Sequence, residues 1–334
     1  NPFRFASAGI GGWVELGRHT AGGASTTMTV SGIANKRYYM VLYLDKGMAG
    51  APARVTTFNA NPSPLYARRQ SFSGGADGTA VNATNLNAWA DNNVYPQFAV
   101  QYISNLATKE KLMISHMVGQ NTAGAGNAPS RVEFVGKWSN TPPAISSLTV
   151  TCTSNFNSGD EVVVLGWDPA DTHTSNFWEE LASVNASGSS TNLSSGTITA
   201  KKYLWIQAYL GNVAGDINTT FNNDTGSNYA RRYSFNGAAD GTGSSASNLS
   251  NQMGIGNGVE GSFYNGFIIN NSANEKLLTG HYVWTGGVGA ANDPERMEAV
   301  GKWANTSAQI TEIDIDSASG NFPSTSILKV WGSD

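Results

Sequence analysis

Residues 110–138, EKLMISHMVGQNTAGAGNAPSRVEFVGKW, return as EKLLTGHYVWTGGVGAANDPERMEAVGKW at 275–303, with 15 of the 29 paired positions identical and no gap. Within the first copy RVEFVGKW alternates: Val132, Phe134, Gly136 and Trp138 share one side of a strand, and Arg131, Glu133, Val135 and Lys137 the other. RMEAVGKW repeats the exchange, with Met297, Ala299, Gly301 and Trp303 inward. A period of two that survives duplication fits a sheet with one face on a core and the other wet or at an interface.

The repeat extends in both directions. Trp13/Trp178, Tyr38/Tyr203, His116/His281 and Trp138/Trp303 are each 165 residues apart, whereas YARRQSFSGGADGT from Tyr66 and YARRYSFNGAADGT from Tyr229 are 229 − 66 = 163 apart. Loop insertions of a residue or two explain the drift. The apolar ends VVVLGWD at 162 and ILKVWGSD at 327 also match in pattern. The chain therefore divides into an N-terminal arm at 1–9, a first unit at 10–167, a linker DPADTHTSN at 168–176 and a second unit at 177–334.

In the first unit, short strands are expected at 26–30, 37–44, 54–58, 66–72, 97–103, 111–117, 131–138, 145–151 and 161–165, punctuated by Pro, Gly, Asn and Ser clusters. No long segment reads as a helix. FWEELASV at 177 has the counterpart GWVELGRH, whose glycines argue for a strand start. The expected fold is all-β: two tandem β-sandwich, jelly-roll-like domains related by internal duplication.

Composition narrows the function classes. Of 334 residues only 13% are charged, against about 25% in an ordinary soluble domain, so Asn, Ser, Thr and Gly must cover much of the surface. A net charge of −4 supplies no broad cationic field, which argues against nucleic acid or an anionic membrane as partner. No apolar run is long enough to cross a bilayer. The single cysteine, Cys152, allows no intramolecular disulfide.

One strand speaks about its surroundings. In YLWIQAYL, Leu204, Ile206, Ala208 and Leu210 make a core face, which leaves Tyr203, Trp205, Gln207 and Tyr209 on the other side. A contiguous aromatic row in water is unfavourable. The expectation is that a loop or neighbouring strand of the same unit covers it, with a subunit or ligand contact as the second reading. Tyr38, Trp284 and Trp331 join Tyr203, Trp205 and Tyr209 as candidate interface or ligand-contact residues.

Few residues suggest chemistry. His116 and His281 occupy matched positions, as do Glu133 and Glu298, so a duplicated acid/base pair is one reading and packed, hydrogen-bonded residues the favoured one. Four histidines and one cysteine give no zinc constellation, and no cofactor is expected. Arg68 and Arg69 point to opposite faces of their strand unless it bulges, as do Arg231 and Arg232. One of each pair is expected to meet a carboxylate such as Glu133, Glu298 or Asp77 in a structural polar network. Asp77 and Asp240 read as ordinary turn residues. NNDTGSN at 222 offers the oxygen-rich spacing of a calcium loop, but its match NANPSPL lacks the Asp.

The phrases AGAGNAPSR, VVVLGWDPADTHTSNFWEELASV, ITAKKYL, FNNDTGSNYARR and GKWANTSAQIT resemble repeated virion-associated proteins of tailed bacteriophages and related environmental viruses. The resemblance implies a non-enzymatic structural component of the virion surface: a capsid decoration protein, or a fibre or tail-associated subunit, with itself and other virion proteins as partners. It supplies no catalytic residue. The alternatives are a carbohydrate-binding module meeting host-surface glycans and an extracellular subunit of a cellular surface filament.

Overall fold

The structure, a computed structural model, describes residues 12–48, 50, 53–86, 94–171, 176–213, 215–250, 261–285 and 290–334. The arm at 1–9 and part of the linker lie outside them. Among the described residues every regular element is a strand, as the alternating patterns require, and no helix is long and apolar enough to cross a membrane.

The first unit contains β1 (Val14–Thr20), β2 (Thr27–Ser31), β3 (Tyr38–Asp45), β4 (Arg54–Phe58), β5 (Tyr66–Phe72), β6 (Gly78–Ala83), β7 (Gln97–Ser104), β8 (Lys111–Gly119), β9 (Ser130–Trp138), β10 (Ser147–Cys152) and β11 (Glu161–Trp167). The second contains β12 (Glu179–Asn185), β13 (Asn192–Ser194), β14 (Tyr203–Leu210), β15 (Ile217–Phe221), β16 (Tyr229–Phe235), β17 (Gly241–Ala246), β18 (Ser262–Ile269), β19 (Lys276–Trp284), β20 (Glu295–Trp303), β21 (Ile313–Ser317) and β22 (Ile327–Ser333). The strand that sequence patterning left out, β6, and β1, read there only as a strand start, are edge strands with little apolar alternation to announce them.

Each unit is an unequal sandwich. The large sheet of the first runs β1-β11-β3-β7-β8-β9-β5-β6 and its small sheet β2-β10-β4; the second repeats both orders as β12-β22-β14-β18-β19-β20-β16-β17 and β13-β21-β15. All pairings are antiparallel. Between the two layers of each unit lies its own core, where Val132, Phe134 and Trp138 meet Met28, Leu148 and Val150, and Met297, Ala299 and Trp303 meet Ile313 and Ile315. Even a local device is duplicated: the Tyr66 hydroxyl accepts from Phe58 N (3.0 Å) and donates to Asn61 O (2.9 Å), as Tyr229 accepts from Phe221 N (2.9 Å) and donates to Asp224 O (3.0 Å).

A third core joins the units. Met40, Leu42, Leu44, Phe98, Val100, Val118, Val163 and Leu165 from the outer face of the first large sheet pack on Trp178, Tyr203, Trp205, Phe267, Ile269, Leu277, Val300 and Trp331 from the outer face of the second. This extends the expected covering of the aromatic row: the other copy of the repeat packs over Tyr203 and Trp205 together with Phe177 and Trp178 of their own unit, while Tyr209 stays exposed. Two large twisted sheets with apolar outer faces can bury them only against another sheet of similar breadth.

The seam joins opposite ends of equivalent strands. On the first sheet the covered positions are Leu44, Phe98 and Val118, while Tyr38, Leu112 and Val135 stay exposed. On the second, Tyr203, Leu277 and Val300 are covered, and Tyr209, Phe263 and Val283, the counterparts of Leu44, Phe98 and Val118, stay exposed. Val135 is 47% exposed and Val300 0%, although the two residues are identical and stand at matched places.

Candidate functional site

At the centre of the seam the packing turns polar. β8 and β9 place His116 opposite Glu133, and β19 and β20 place His281 opposite Glu298, so the suggested acid/base pairs are cross-strand neighbours. The histidines of the two units also meet, with ring centroids 4.2 Å apart. Buried His116 has Nδ1 2.6 Å from the Thr279 hydroxyl, while its Nε2 has no hydrogen-bond partner and stands 4.0 Å from Glu133 Oε1. That last distance is beyond a hydrogen bond. His281 lies at the edge of a cavity of about 50 Å³, lined also by Val100, Tyr102, Asn265 and Thr279.

Three guanidiniums face three carboxylates around the rings. Arg131 donates to Glu133 at 2.6 Å and, across the seam, to both oxygens of Asp240 at 3.3 and 2.6 Å. Arg232 stands 3.7 Å from Asp240 and donates from Nε to Pro129 O at 2.8 Å, and Arg296 pairs with Glu298. Burial first, then His281 and Arg131, holds the His116 pKa well below the ordinary imidazole value. His281 is exposed, and desolvation by the walls beside it, with Arg131 and Arg296, pushes it down to about 4. Both rings are neutral at pH 7. Glu133 is raised, because partial burial outweighs the two nearby arginines.

Flanking clamps complete the seam. Buried Glu161 accepts from Lys202 Nζ (2.8 Å) and the Tyr203 hydroxyl (2.7 Å). Burial alone would raise its carboxyl, but these bonds and one from Thr20 bring it below its usual value. Lys302 donates to Gln120 O at 3.2 Å and Thr122 O at 2.5 Å.

The structure separates the six aromatic candidates. Tyr203, Trp205 and Trp331 are buried in the seam, and Trp284 is buried in the second unit's core, stacked with Tyr282 and Phe235 at 5.1 and 5.2 Å. These four are closed to a ligand arriving from solvent because packing within the chain covers them. Tyr38 and Tyr209 remain exposed, Tyr38 stacked on Trp167 at 5.5 Å. Two adjoining apolar grooves of about 570 and 500 Å³ share Leu112 and Ile114 on this uncovered end of the first sheet.

The arginine pairs also divide. Both Arg68 and Arg69 line the larger groove; Arg69 pairs with Asp77 at 3.0 Å on the surface, and burial lowers the pKa of Arg68. Arg232 reaches the seam, but Arg231, partly buried, does not join that network. Both arginine strands shift register against their hairpin partners just before the pair. Asp240, read as a turn residue, is the buried bridge between Arg131 and Arg232; the ADGT around it, shared with Asp77, gives no signal of this. In the 222 loop, Asp224 accepts from Trp303 Nε1 (2.7 Å), Gly226 N (2.8 Å) and Asn228 Nδ2 (2.9 Å).

No protein-family model and no curated protein matches the chain. Among solved structures, a crystal structure described as HCR/D-Sa-GBL1/C is 8% identical with TM-score 0.20 over 90% of each chain. An acyl-CoA hydrolase from Agrobacterium tumefaciens is 6% identical with TM-score 0.12, over 69% of this chain and 73% of that one. Likenesses at those scores carry no argument.

Proposed function

We propose that the chain is a non-enzymatic structural subunit of a virion surface, associating with further copies through the two ends of its large sheets that the internal seam leaves bare. The observation that carries this reading is the mismatch between the homologous faces. The bare end of the first unit, with Tyr38, Leu112 and Val135, is the counterpart of the surface that the second unit buries; the bare end of the second, with Tyr209, Phe263 and Val283, is the counterpart of the surface that the first buries. Each exposed end thus has the complement of the other. A second copy that repeats the seam joins unit one to unit two of its neighbour, a heterologous contact that builds rings or filaments. The virion setting comes from the resemblance of the repeated phrases, and a low-charge surface suits a subunit packed among others.

Light scattering after size exclusion, over a range of concentrations, tests the association. Mass is expected to rise in integer multiples of the chain and to fall back to one chain in Leu112→Asp and Val283→Lys. A chain that stays monomeric at the highest concentration, or charged variants that assemble like the parent, sinks the reading. A micrograph of the native assembly that places the chain elsewhere than on a particle removes the virion setting. Of the aromatic candidates, the glycan-binding alternative retains Tyr209 and Tyr38, the latter stacked on half-buried Trp167 beside the 500 Å³ groove. Saturable sugar binding lost in Trp167→Ala would favour it.

A further inference from the structure

We propose that the seam holds a divalent transition-metal site, built by His116 and Glu133 of the first unit and His281 of the second, and suited to Zn²⁺. One donor atom from each of the three lies within 4.8 Å of the others. Ligands at about 2.0–2.2 Å from a tetrahedral zinc stand roughly 3.5 Å apart, so the three must close by about 1 Å. Two of them have the freedom to do so: Glu133 is one-third exposed, and His281 sits at a cavity edge.

The independent observation is the state of His116. Its side chain is 7% exposed and its Nε2, facing Glu133, is a buried nitrogen with no hydrogen-bond partner. An orphaned polar atom at such depth is uncommon and asks for a ligand. Its other nitrogen is already held by the Thr279 hydroxyl at 2.6 Å: in the tautomer whose Nδ1 carries the proton and donates to that hydroxyl, the lone pair is on Nε2. This is the arrangement in which an outer hydrogen bond orients a metal-bound imidazole. The cavity of about 50 Å³ beside both rings has room for a water, which occupies about 30 Å³ in the liquid, as fourth ligand. Two nitrogens and a carboxylate suit zinc better than calcium or magnesium, which take oxygen ligands.

Surrounding charge is compatible with this. Arg131 holds Glu133 through Oε1, but its Nε and Nη2 are committed to Asp240, and Arg232 and Arg296 have Asp240 and Glu298. The guanidiniums are therefore matched by carboxylates before a metal enters. Because His116 and His281 belong to different units, a bound ion would also pin the seam.

Zn²⁺ titration of the full chain, after chelator treatment and dialysis, tests the site by calorimetry, with Co²⁺ absorption as a second readout. One Zn²⁺ per chain is expected, with affinity at least tenfold weaker in His116→Ala, His281→Ala and Glu133→Gln, and several-fold weaker in Thr279→Val. Co²⁺ should give the intense visible bands of a four-coordinate ion, lost in the same variants. His19→Ala, on edge strand β1 with three strands between it and β8, should bind like the parent. Circular dichroism identifies variants that fail to fold, and the conservative Glu133→Gln then decides. No binding at micromolar Zn²⁺, or binding that the three ligand variants leave unchanged, overturns the proposal.

Discussion

Asp45 and Arg54 form a fully buried ion pair at 2.5 Å in the first unit; at the matched places the second unit carries Leu210 and Ile217, equally buried. The duplicated fold thus accepts either solution, as expected where the desolvation of a buried pair nearly offsets its attraction. Arg54→Ile alone strands a buried carboxylate and is expected to cost about 3–5 kcal/mol in urea unfolding. Adding Asp45→Leu should recover most of that loss, and a double variant as unstable as the single one would contradict the account. Asp160, raised to about 7 by burial and by Asp45, gives Lys46 N an acceptor at 2.7 Å, where Ser326 serves Gly211 N at 2.9 Å.

The seam histidines set a pH response. Each is surrounded by the other ring, Arg131, Glu133, Arg296 and Glu298, with Asp240 and Arg232 just beyond. Their pKa values are lower folded than unfolded, where an imidazole titrates near about 6.5. The unfolded chain therefore binds more protons below that pH, and the stability the neutral rings confer is present above it and lost on acidification toward about 4 for His281. Asp160, with its raised value, contributes in the opposite sense as pH rises toward about 7. His281→Gln should therefore flatten the fall in melting temperature between pH 6.5 and 4; an unchanged slope would assign the acid response elsewhere.

Among elements, β8 and β19 are the most telling pair. Leu112 and Leu277 occupy the same position in them, yet Leu112 is 56% exposed and Leu277 0%. Leu277→Ala is expected to cost about 2–5 kcal/mol, and Leu112→Ala within about 0.5 kcal/mol for the isolated chain. Equal costs would mean that the two outer faces are used alike. On the inner face of β19 Gly280 makes room for Tyr264: a Cβ there would stand 2.5 Å from the Tyr264 hydroxyl. That glycine, matched by Ser115 in the first unit, belongs to the packing of the second.

For the whole molecule, the consequence is a layered body whose repeats are related in fold but not in environment. The order is small sheet, large sheet, large sheet, small sheet. A seam that joined identical ends of the two sheets would leave two like ends bare. This seam joins unlike ends, so the apolar remainders at the two extremities are unlike and match each other as the joined ends do. Mixing Leu112→Asp chains with Val283→Lys chains should give pairs that stop at two, because each retains one competent end; higher species from the mixture would show that other surfaces carry the association.

Alternation in RVEFVGKW and RMEAVGKW was enough to establish all-β units and their inward faces, because a period of two leaves the chain few ways to bury Val132, Phe134 and Trp138. The duplication was legible for the same reason, and with it the matched positions of His116 and His281 and of Glu133 and Glu298; that each His stands opposite its Glu came from the sheet register. Which residues on the outer faces become interior was not legible. Val135 and Val300 are the same residue in nearly the same sequence, and only the docking of one sheet on the other makes one surface and one core. The meeting of His116 with His281 and the bridge from Asp240 to Arg131 are likewise decided by that docking, since contacts between residues more than a hundred positions apart follow from how the sheets are placed, which no local pattern encodes.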